Sequence, residues 1–467
     1  MIFQSNLLNQ PAKAANSPPI FGPTIFGLFA LTLVTKTLIN YYLVKNPSGD
    51  IAIFVQMFYN TLDGHFLESS FENGNHLGVH FSPILVFLIP VMAVVKSFPG
   101  LILTNGLFLV LGLWMLYRHL HAAHPLTAVI ITIMLMCHST LTHDSTKSFH
   151  ALSMMTLPFV GIFIAYRHQH FRQFLGWCLL LTLIRENMFL TLFSWGCICF
   201  FTKRPLRWVL APIALAAVHF LVASLIVPAW LAGGIRPSIT DYYLDYGQGL
   251  GGIFAHLMND PLMPARYLFT SEKGIYLYKI MLPFLIILPC FRPRWLLPAC
   301  PTLAVILFSS NGRLADPKLH FSVEVVLWMA IATIYFLQDH EQKFERPKWR
   351  MALTMLAITF ALFLSATFVV NCAKLVMGPR TGRFQAISQI AGSIAPNDRV
   401  AAPRYIANYL AWRKEIHFLT EVESLDLWSG IDVLVLEGKD LARAPENWKV
   451  QHQQGAFHLL IPPDQPP

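Results

Sequence analysis

The chain has 467 residues, of which 55% are hydrophobic and only 13% are charged. Soluble domains carry roughly a quarter charged residues, so this composition excludes an ordinary soluble protein. The formal charge of +9 would indicate nucleic-acid binding if the basic residues clustered on one soluble face. They lie instead mostly in short loops between apolar runs of about 20 residues, which predict a polytopic α-helical membrane protein without a nucleic-acid partner.

The first apolar run, 20–44, follows a polar tail formed by residues 1–19. It is too long for a signal-peptide core and lacks a small-residue cleavage site, so it predicts a retained transmembrane helix. We predict about 11 membrane segments within 20–371, counting 174–201 as two half-helices. The other apolar runs are 100–117, 126–142, 150–166, 174–201, 206–230, 278–291, 294–310, 321–338 and 351–371.

The run 82–97 has two readings, a crossing or a segment along the membrane surface. It contains Pro83 and Pro90, ends with Lys96, and is short for a full crossing. If it is interfacial, the short loops on the same side of the membrane as the N-terminus hold 12 Lys and Arg in 35 residues. The segments on the opposite side hold 6 in 64 residues. The positive-inside rule then places the tail 1–19 in the cytoplasm and the loops 45–99 and 231–277 outside.

The run 174–201 carries Arg185 and Glu186 at its middle and has basic loops at both ends. Two half-helices that meet at this pair fit the loops better than one crossing. Charges at that depth are tolerated where they line a cavity within the protein. A salt-bridged packing pair is an equal alternative.

After the last apolar run the composition changes. Residues 372–467 contain an amphipathic helix and three strand patterns, near 399–401, near 416–419 and at 432–437. They predict a small α/β domain, and the count of crossings places it outside the cytoplasm.

A polar stretch at 48–85 interrupts the apolar sequence. Asp50, shortly after the first helix, is placed to deprotonate a hydroxyl at the membrane interface, although the spacing alone favours an ordinary helix-terminal or loop aspartate. His76 and His80 are four apart and would share a helix face, a spacing that suits a metal. Because Gly78 weakens the helix and no third ligand is fixed, a divalent metal is a candidate but no metal ligand is assigned.

Two more polar stretches border apolar runs on the predicted outer side. The stretch His138–His150 ends in a histidine that could cap a helix, bind phosphate or lie among headgroups. Arg313, Lys318 and His320 form a cationic cluster suited to a phosphate whose lipid tail lies in the bilayer, or to lipid headgroups.

Five sequence matches, in order, resemble a bacterial and archaeal membrane family called domain of unknown function 2079. The opening match, "GDIAIFVQMFYNTLDGHF…NHLGVHFSPILVFLIP", contains Asp50, Gln56, Asn75, His76 and His80. The others are "FHALSMMTLPF", "IRENMFL", "KLHFSVEVVLWMA" and the tail "IAPNDRVAAPRYIANYLAWRKEIHFL". Together they cover nearly the whole chain.

That family is similar in turn to the GT-C superfamily of membrane glycosyltransferases. The resemblance implies a GT-C-like domain at 20–371 in the bacterial inner membrane and transfer of a hexose or pentose from a polyprenyl-phosphate-type donor. It places Asp50 as the catalytic base and Arg313, Lys318 and His320 at the donor phosphate. The full set of predicted substrate-binding residues is Gln56, Asn75, His76, His80, His150, Arg185, Glu186, Arg313, Lys318 and His320.

The expected partners are a lipid-linked sugar donor, membrane lipids and a glycan, lipid or protein acceptor. Two alternatives stay open at this point. One is a transporter or flippase of a polar or lipid-linked solute, with Arg185 and Glu186 at a broken helix. The other is a non-catalytic scaffold whose outer domain binds a partner.

Overall fold

The computed structural model describes residues 21–46, 48–231, 243, 245–247, 249–344, 346–377 and 382–463. The predicted cytoplasmic tail 1–19 lies outside this part of the chain, as do residues 232–242 of the predicted outer loop 231–277.

The described residues are mainly helical. Proline is the first residue of several helices, including Pro99–His121, Pro125–Met136 and Pro347–Met377, because the first turn needs no intrahelical N–H bond there. The helices are α1 Phe21–Tyr42, α2 Asp50–Leu62, α3 His76–Val79, α4 Ile89–Val95, α5 Pro99–His121, α6 Pro125–Met136, α7 Ser139–His143, α8 Thr156–His168, α9 Phe171–Thr182, α10 Met188–Phe201, α11 Leu206–Phe220, α12 Val227–Leu231, α13 Gly249–Asn259, α14 Met263–Leu268, α15 Ser271–Met281, α16 Pro293–Leu296, α17 Cys300–Phe308, α18 Val323–Phe344, α19 Pro347–Met377, α20 Gly382–Ser393, α21 Arg404–Leu410 and α22 Leu419–Leu425.

Among the residues that the structure describes, five helices are long and apolar enough to cross a membrane: Gly22–Tyr42, Pro99–His121, Leu206–Leu231, His320–Lys343 and Thr354–Met377. Shorter apolar helices occupy Pro83–Val95, Pro125–Met136, Met188–Phe201 and Pro293–Phe308. The expected polytopic helical class is therefore confirmed. The count of about 11 segments and their orientation stay predictions.

Three predicted spans are not continuous helices. Residues 126–142 divide between α6, which ends at Met136, and α7, which begins at Ser139. The other two are interrupted at prolines. Residues 278–291 begin in α15 but continue as the 3₁₀ turns Leu282–Phe284 and Leu288–Phe291. Residues 294–310 divide into α16, the turn Leu297–Ala299 and α17. Each of these turns contains a proline, which lacks the N–H that an unbroken helix requires.

The predicted break in 174–201 is present. Helix α9 ends at Thr182 and α10 begins at Met188, so Arg185 and Glu186 lie in the connecting turn. Helix α9 packs against α8, whereas α10 packs against α11. Each half of the run therefore belongs to a different helix pair.

The run 82–97 forms a short kinked element made of the 3₁₀ turn Pro83–Leu88 and helix α4. At about 1.5–2 Å per residue these 13 residues span less than the hydrocarbon core. The Ile84 N–H donates to the Leu183 carbonyl at 2.8 Å. This bond ties the first loop to the break between α9 and α10, while an interfacial position of 82–97 stays a prediction.

The C-terminal residues form a five-stranded sheet, as the predicted α/β domain requires. Its strand order is β4-β3-β5-β7-β6, with β4, β3 and β5 parallel and β7 and β6 antiparallel. The three predicted strands are present as β3, β4 and β5. The hairpin β6–β7 was not predicted because β6 is a polar, mostly exposed strand. The strands are β1 Glu68–Ser69, β2 Gly74–Asn75, β3 Val400–Ala402, β4 Ile416–Phe418, β5 Val433–Glu437, β6 Lys449–Gln454 and β7 Phe457–Ile461.

Close packing of α8 against α9 gives a stability prediction. A Cβ at Gly161 would lie 2.3 Å from Trp177 Cδ2, whereas one at Gly176 would have no neighbour within 4 Å. We expect Gly161→Ala to cost about 1–3 kcal/mol through overpacking. The unfolding temperature in detergent should fall for Gly161→Ala and stay unchanged or rise slightly for Gly176→Ala, since alanine is favoured over glycine in a helix interior. Equal unfolding temperatures for the two variants would contradict this packing.

Candidate active site

A cavity of about 190 Å³ opens between the first loop, the helix break and the segment that precedes α18. It brings together residues from five separate parts of the chain. Most of the predicted site residues line it: Asp50, His76, His80, His150, Arg185, Arg313 and His320.

Asp50 is the first residue of α2, where the helix dipole stabilises a negative charge. Its side chain is 42% exposed, and this exposure faces the cavity. Ser48 Oγ donates to Asp50 Oδ2 at 3.3 Å. The same oxygen lies 3.0 Å from His150 Nε2, which leaves Oδ1 as the oxygen available to a bound molecule.

His150 joins two carboxylates. While Nε2 contacts Asp50, Nδ1 lies 3.0 Å from Oδ2 of Asp144, a fully buried residue. Ser153 Oγ also donates to that Asp144 oxygen, at 2.8 Å. Since both ring nitrogens face carboxylates, His150 donates two hydrogen bonds as the imidazolium.

The pKa values of the three groups follow from this arrangement. Burial alone would lower the pKa of His150, but the charge of Asp144 and the hydrogen bonds to Asp144 and Asp50 raise it to about 9. Burial would raise the pKa of Asp50, yet the His150 bond and charge hold it well below the usual range. The pKa of Asp144 is likewise lowered despite burial, chiefly by His150. At neutral pH the chain is carboxylate, imidazolium, carboxylate.

His320 and Arg185 adjoin this chain. The His320 ring lies over the His150 ring with centroids 3.8 Å apart. Arg185 Nη1 is 3.1 Å from His320 Nε2. Because arginine is always a donor, Nε2 accepts and His320 Nδ1 carries the proton, directed toward Asp144 Oδ2 at 3.6 Å.

Glu186 fixes the far wall of the cavity. Its Oε1 lies 3.0 Å from His80 Nδ1 and 3.3 Å from Arg185 Nε, and its Oε2 accepts the Phe81 N–H. Burial and the Arg185 charge lower the pKa of His80, so this imidazole is neutral at pH 7. The Arg185 carbonyl is also bonded, at 3.0 Å from His219 Nε2.

Four of the predicted binding residues do not line the cavity. Gln56 is fully buried, and its amide contacts Ser69, Ser70 and the Lys414 carbonyl. Asn75 caps α3 by accepting the Leu77 N–H. Lys318 is exposed, and Glu186 acts through Arg185 and His80.

Asp144 is the residue that sequence reasoning missed. It lies in the stretch His138–His150, which was singled out only for its histidines. A buried acid six residues before His150 is detectable in retrospect, since it is the one carboxylate of a stretch between two apolar runs. Its role depends on the loop that turns His150 back toward it.

Asp144, His150 and His320 also have ligand-type atoms within 4.8 Å of one another. Metal binding by histidine needs a free nitrogen lone pair. In the imidazolium that bridges two carboxylates, His150 offers none. A divalent metal at this site stays a prediction.

Comparison with known proteins identifies the family. A sequence profile of the family described as "Predicted membrane protein (DUF2079)" matches residues 45–458. The chain belongs to this family. No protein of curated function matches the sequence significantly.

Two solved structures of ArnT from Cupriavidus metallidurans share the fold of this DUF2079 protein. The crystal structure bound to undecaprenyl phosphate aligns with a TM-score of 0.55 and 12% identity, covering 94% of this chain and 97% of that chain. The apo structure aligns with a TM-score of 0.52 and 12% identity, covering 93% and 96%. The chain therefore shares the fold of ArnT over nearly its whole length.

The raised pKa of His150 predicts a pH-dependent stability. Its folded pKa of about 9 exceeds the unfolded value of about 6.5, so its contribution is complete below about pH 6.5 and is lost toward pH 9. The lowered pKa values of Asp50 and Asp144 make their contribution disappear only in acid. We expect the unfolding-temperature difference between the wild type and His150→Gln to shrink from pH 6.5 to 9.5. A difference that stays constant over this range would contradict the imidazolium assignment.

Proposed function

We propose that this protein is a membrane glycosyltransferase that moves a sugar from a polyprenyl-phosphate-type donor to an acceptor at the outer face of the membrane. The observation that carries the proposal is the single cavity that Asp50, Arg185 and Arg313 line together. One end suits a hydroxyl that attacks, and the other suits a phosphate that leaves.

Arg185 and Arg313 are the proposed ligands of the donor phosphate. Guanidinium groups bind phosphate oxygens through charge-assisted hydrogen bonds. The Asn311 side chain accepts the Arg313 N–H at 3.0 Å and fixes the turn that carries Arg313. That one related fold, ArnT, was crystallised with undecaprenyl phosphate supports a lipid phosphate as the ligand here.

Asp50 is the proposed general base. The acceptor oxygen attacks C1 of the sugar, the C1–O bond to the phosphate breaks, and the phosphate departs with that electron pair. The acceptor proton passes to Asp50 Oδ1, the oxygen not occupied by His150. Attack from the side opposite the leaving group makes the transfer inverting. His150 and Asp144 keep the carboxylate ionised and fixed in orientation.

The proposed setting is the bacterial inner membrane. The N-terminus would be cytoplasmic and the domain 372–467 extracytoplasmic, so donor and acceptor would meet outside the cell membrane. A glycan, a lipid or a protein could supply the acceptor hydroxyl. No nucleotide is required, because the lipid phosphate carries the activated sugar.

Transport of a polar or lipid-linked solute is the second candidate. The observation in its favour is the break between α9 and α10, which carries Arg185 and Glu186 to the cavity. Broken helices with polar ends form substrate sites in many transporters. Flux of lipid-linked sugar across liposomes, without any new glycosidic bond, would favour this candidate.

Substitution of the proposed base tests the enzyme directly. We expect Asp50→Asn to reduce transfer by about 10²–10⁴-fold, since the amide cannot accept the proton. Asp63→Asn is the control, because Asp63 lies exposed at the far end of the same helix. Mass spectrometry of glycans and lipids in membranes that contain each variant measures the product. Unchanged modification by Asp50→Asn at normal expression would remove Asp50 from the mechanism.

The phosphate site is tested with undecaprenyl phosphate itself. We expect Arg313→Met to weaken binding about tenfold or more, since a hydrogen bond to a charged group contributes about 1.5–3 kcal/mol. Lys318→Met removes a charge from the same segment, but its side chain does not line the cavity, so its affinity should change little. Native mass spectrometry in detergent compares the two. Equal weakening would assign the effect to general surface charge.

A further inference from the structure

The C-terminal domain contacts the first loop beside Asp50. Strand β4 is the edge of its sheet, and edge strands have backbone groups that need partners. Ser70 is the partner of both backbone groups of one β4 residue: its hydroxyl accepts the Ile416 N–H at 3.2 Å and donates to the Ile416 carbonyl at 2.6 Å. A side chain of the first loop therefore takes the place of a neighbouring strand.

Gln56 connects this contact to the helix of Asp50. Its Nε2 donates to Ser70 Oγ at 2.7 Å and to the Lys414 carbonyl at 2.9 Å. Its Oε1 accepts from Ser69 Oγ at 2.9 Å and from the Ser70 N–H at 3.0 Å. Both donor hydrogens and both acceptor positions of a fully buried amide are used. Such fully satisfied networks make a site rigid.

A second contact lies immediately before Asp50. A Cβ at Gly49 would lie 2.9 Å from Phe418 Cζ and 3.1 Å from Arg404 Cδ, so the C-terminal domain approaches the backbone there. The Phe418 ring also lies 4.2 Å from the Phe71 ring. Strand β4 and its neighbours thus contact the chain on both sides of the carboxylate, at Gly49 and at Gln56.

A third contact reaches the loop that leads to His150. Asn408 Nδ2 donates to the Asn46 carbonyl at 2.9 Å, and Asn46 Nδ2 donates to the Lys147 carbonyl at 3.0 Å. The C-terminal domain therefore contacts the start of α2 and, through Asn46, the loop that leads to His150, the hydrogen-bond partner of Asp50. The relative position of Asp50 and His150 depends on both of these contacts.

We propose that Gln56 is a positioning residue through which the C-terminal domain holds Asp50 against His150 for the reaction. The inference rests on the proposed transferase function for its kinetic consequence. Its structural part, the coupling of strand β4 to helix α2, stands on the hydrogen bonds alone. Gln56, expected from the sequence to bind substrate, acts instead from behind the site.

The experiment compares two amide-to-leucine changes on α2. Gln56→Leu removes the bonds to Ser70 and the C-terminal domain. Asn60→Leu is the matched control, because Asn60 is also buried but donates to the Glu68 carbonyl of the same loop. We expect Gln56→Leu to lower kcat by about 100-fold with little change in KM for the donor, the effect of a small displacement of a catalytic group. Asn60→Leu should keep kcat within about threefold of the wild type, the smaller effect expected when no catalytic group moves.

Hydrogen–deuterium exchange of α2 gives a readout that does not require activity. Residues 51–58 should exchange faster in Gln56→Leu than in Asn60→Leu. Equal exchange in the two variants, or an equal loss of kcat, would overturn the positioning role. If the wild type transfers no sugar, the proposed function fails, and the exchange comparison alone then decides whether the domain is coupled to Asp50.

Discussion

The structure depends on one hydrogen-bonded chain, Asp50–His150–Asp144. Its two carboxylates and one imidazolium carry a net negative charge in a protein that is mostly hydrocarbon. Burying an unpaired charge is costly, so such groups persist only with partners at hydrogen-bond distance. Arg185 and Arg313 line the same cavity and compensate this charge, whereas the neutral His320 ring packs against His150. The same compensation leaves a cationic surface facing the cavity, which is the surface that a phosphate would need.

This electrostatic arrangement also shapes the proposed chemistry. A carboxylate whose pKa is held low by an adjacent imidazolium is a weak base, poorly suited to remove a proton before attack. Glycosyl transfer through an oxocarbenium-like transition state makes a smaller demand, since bond breaking at C1 precedes most of the proton movement. In the proposed reaction Asp50 would orient the hydroxyl first and receive its proton late. Because its pKa is low, Asp50 stays ionised and hydrogen-bonded to His150 across the physiological pH range.

Sequence reasoning succeeded where a signal is local. The helical membrane class, the break at Arg185 and Glu186, and three strands of the C-terminal sheet follow from apolar runs, a buried charge pair and short β-branched segments. It failed where the outcome depends on contacts between distant residues. Gln56 was expected to face substrate. Its partner, the Lys414 carbonyl, lies 358 residues away in the chain, so the local sequence does not indicate this contact. Asp144 was overlooked because its contact with His320, and the turn that brings His150 back to it, arise only in the fold. The runs 278–291 and 294–310 were predicted as spans from their apolar composition. Composition alone does not show where a proline removes an N–H donor and interrupts the helix.

The hydrogen bonds at the break between α9 and α10 indicate that it is a rigid part of the cavity wall and not a moving gate. Breaking a helix exposes backbone groups that must find partners in a low-dielectric environment. Here His219 bonds the Arg185 carbonyl, the Leu183 carbonyl accepts the Ile84 N–H, and Glu186 accepts the Phe81 N–H. Three bonds therefore attach the break to α11 and to the first loop. A gate that opened here would have to break several of them at once, whereas an enzyme gains from holding Arg185 still. This favours the break as a rigid support for the guanidinium that we propose to bind phosphate, rather than as a hinge.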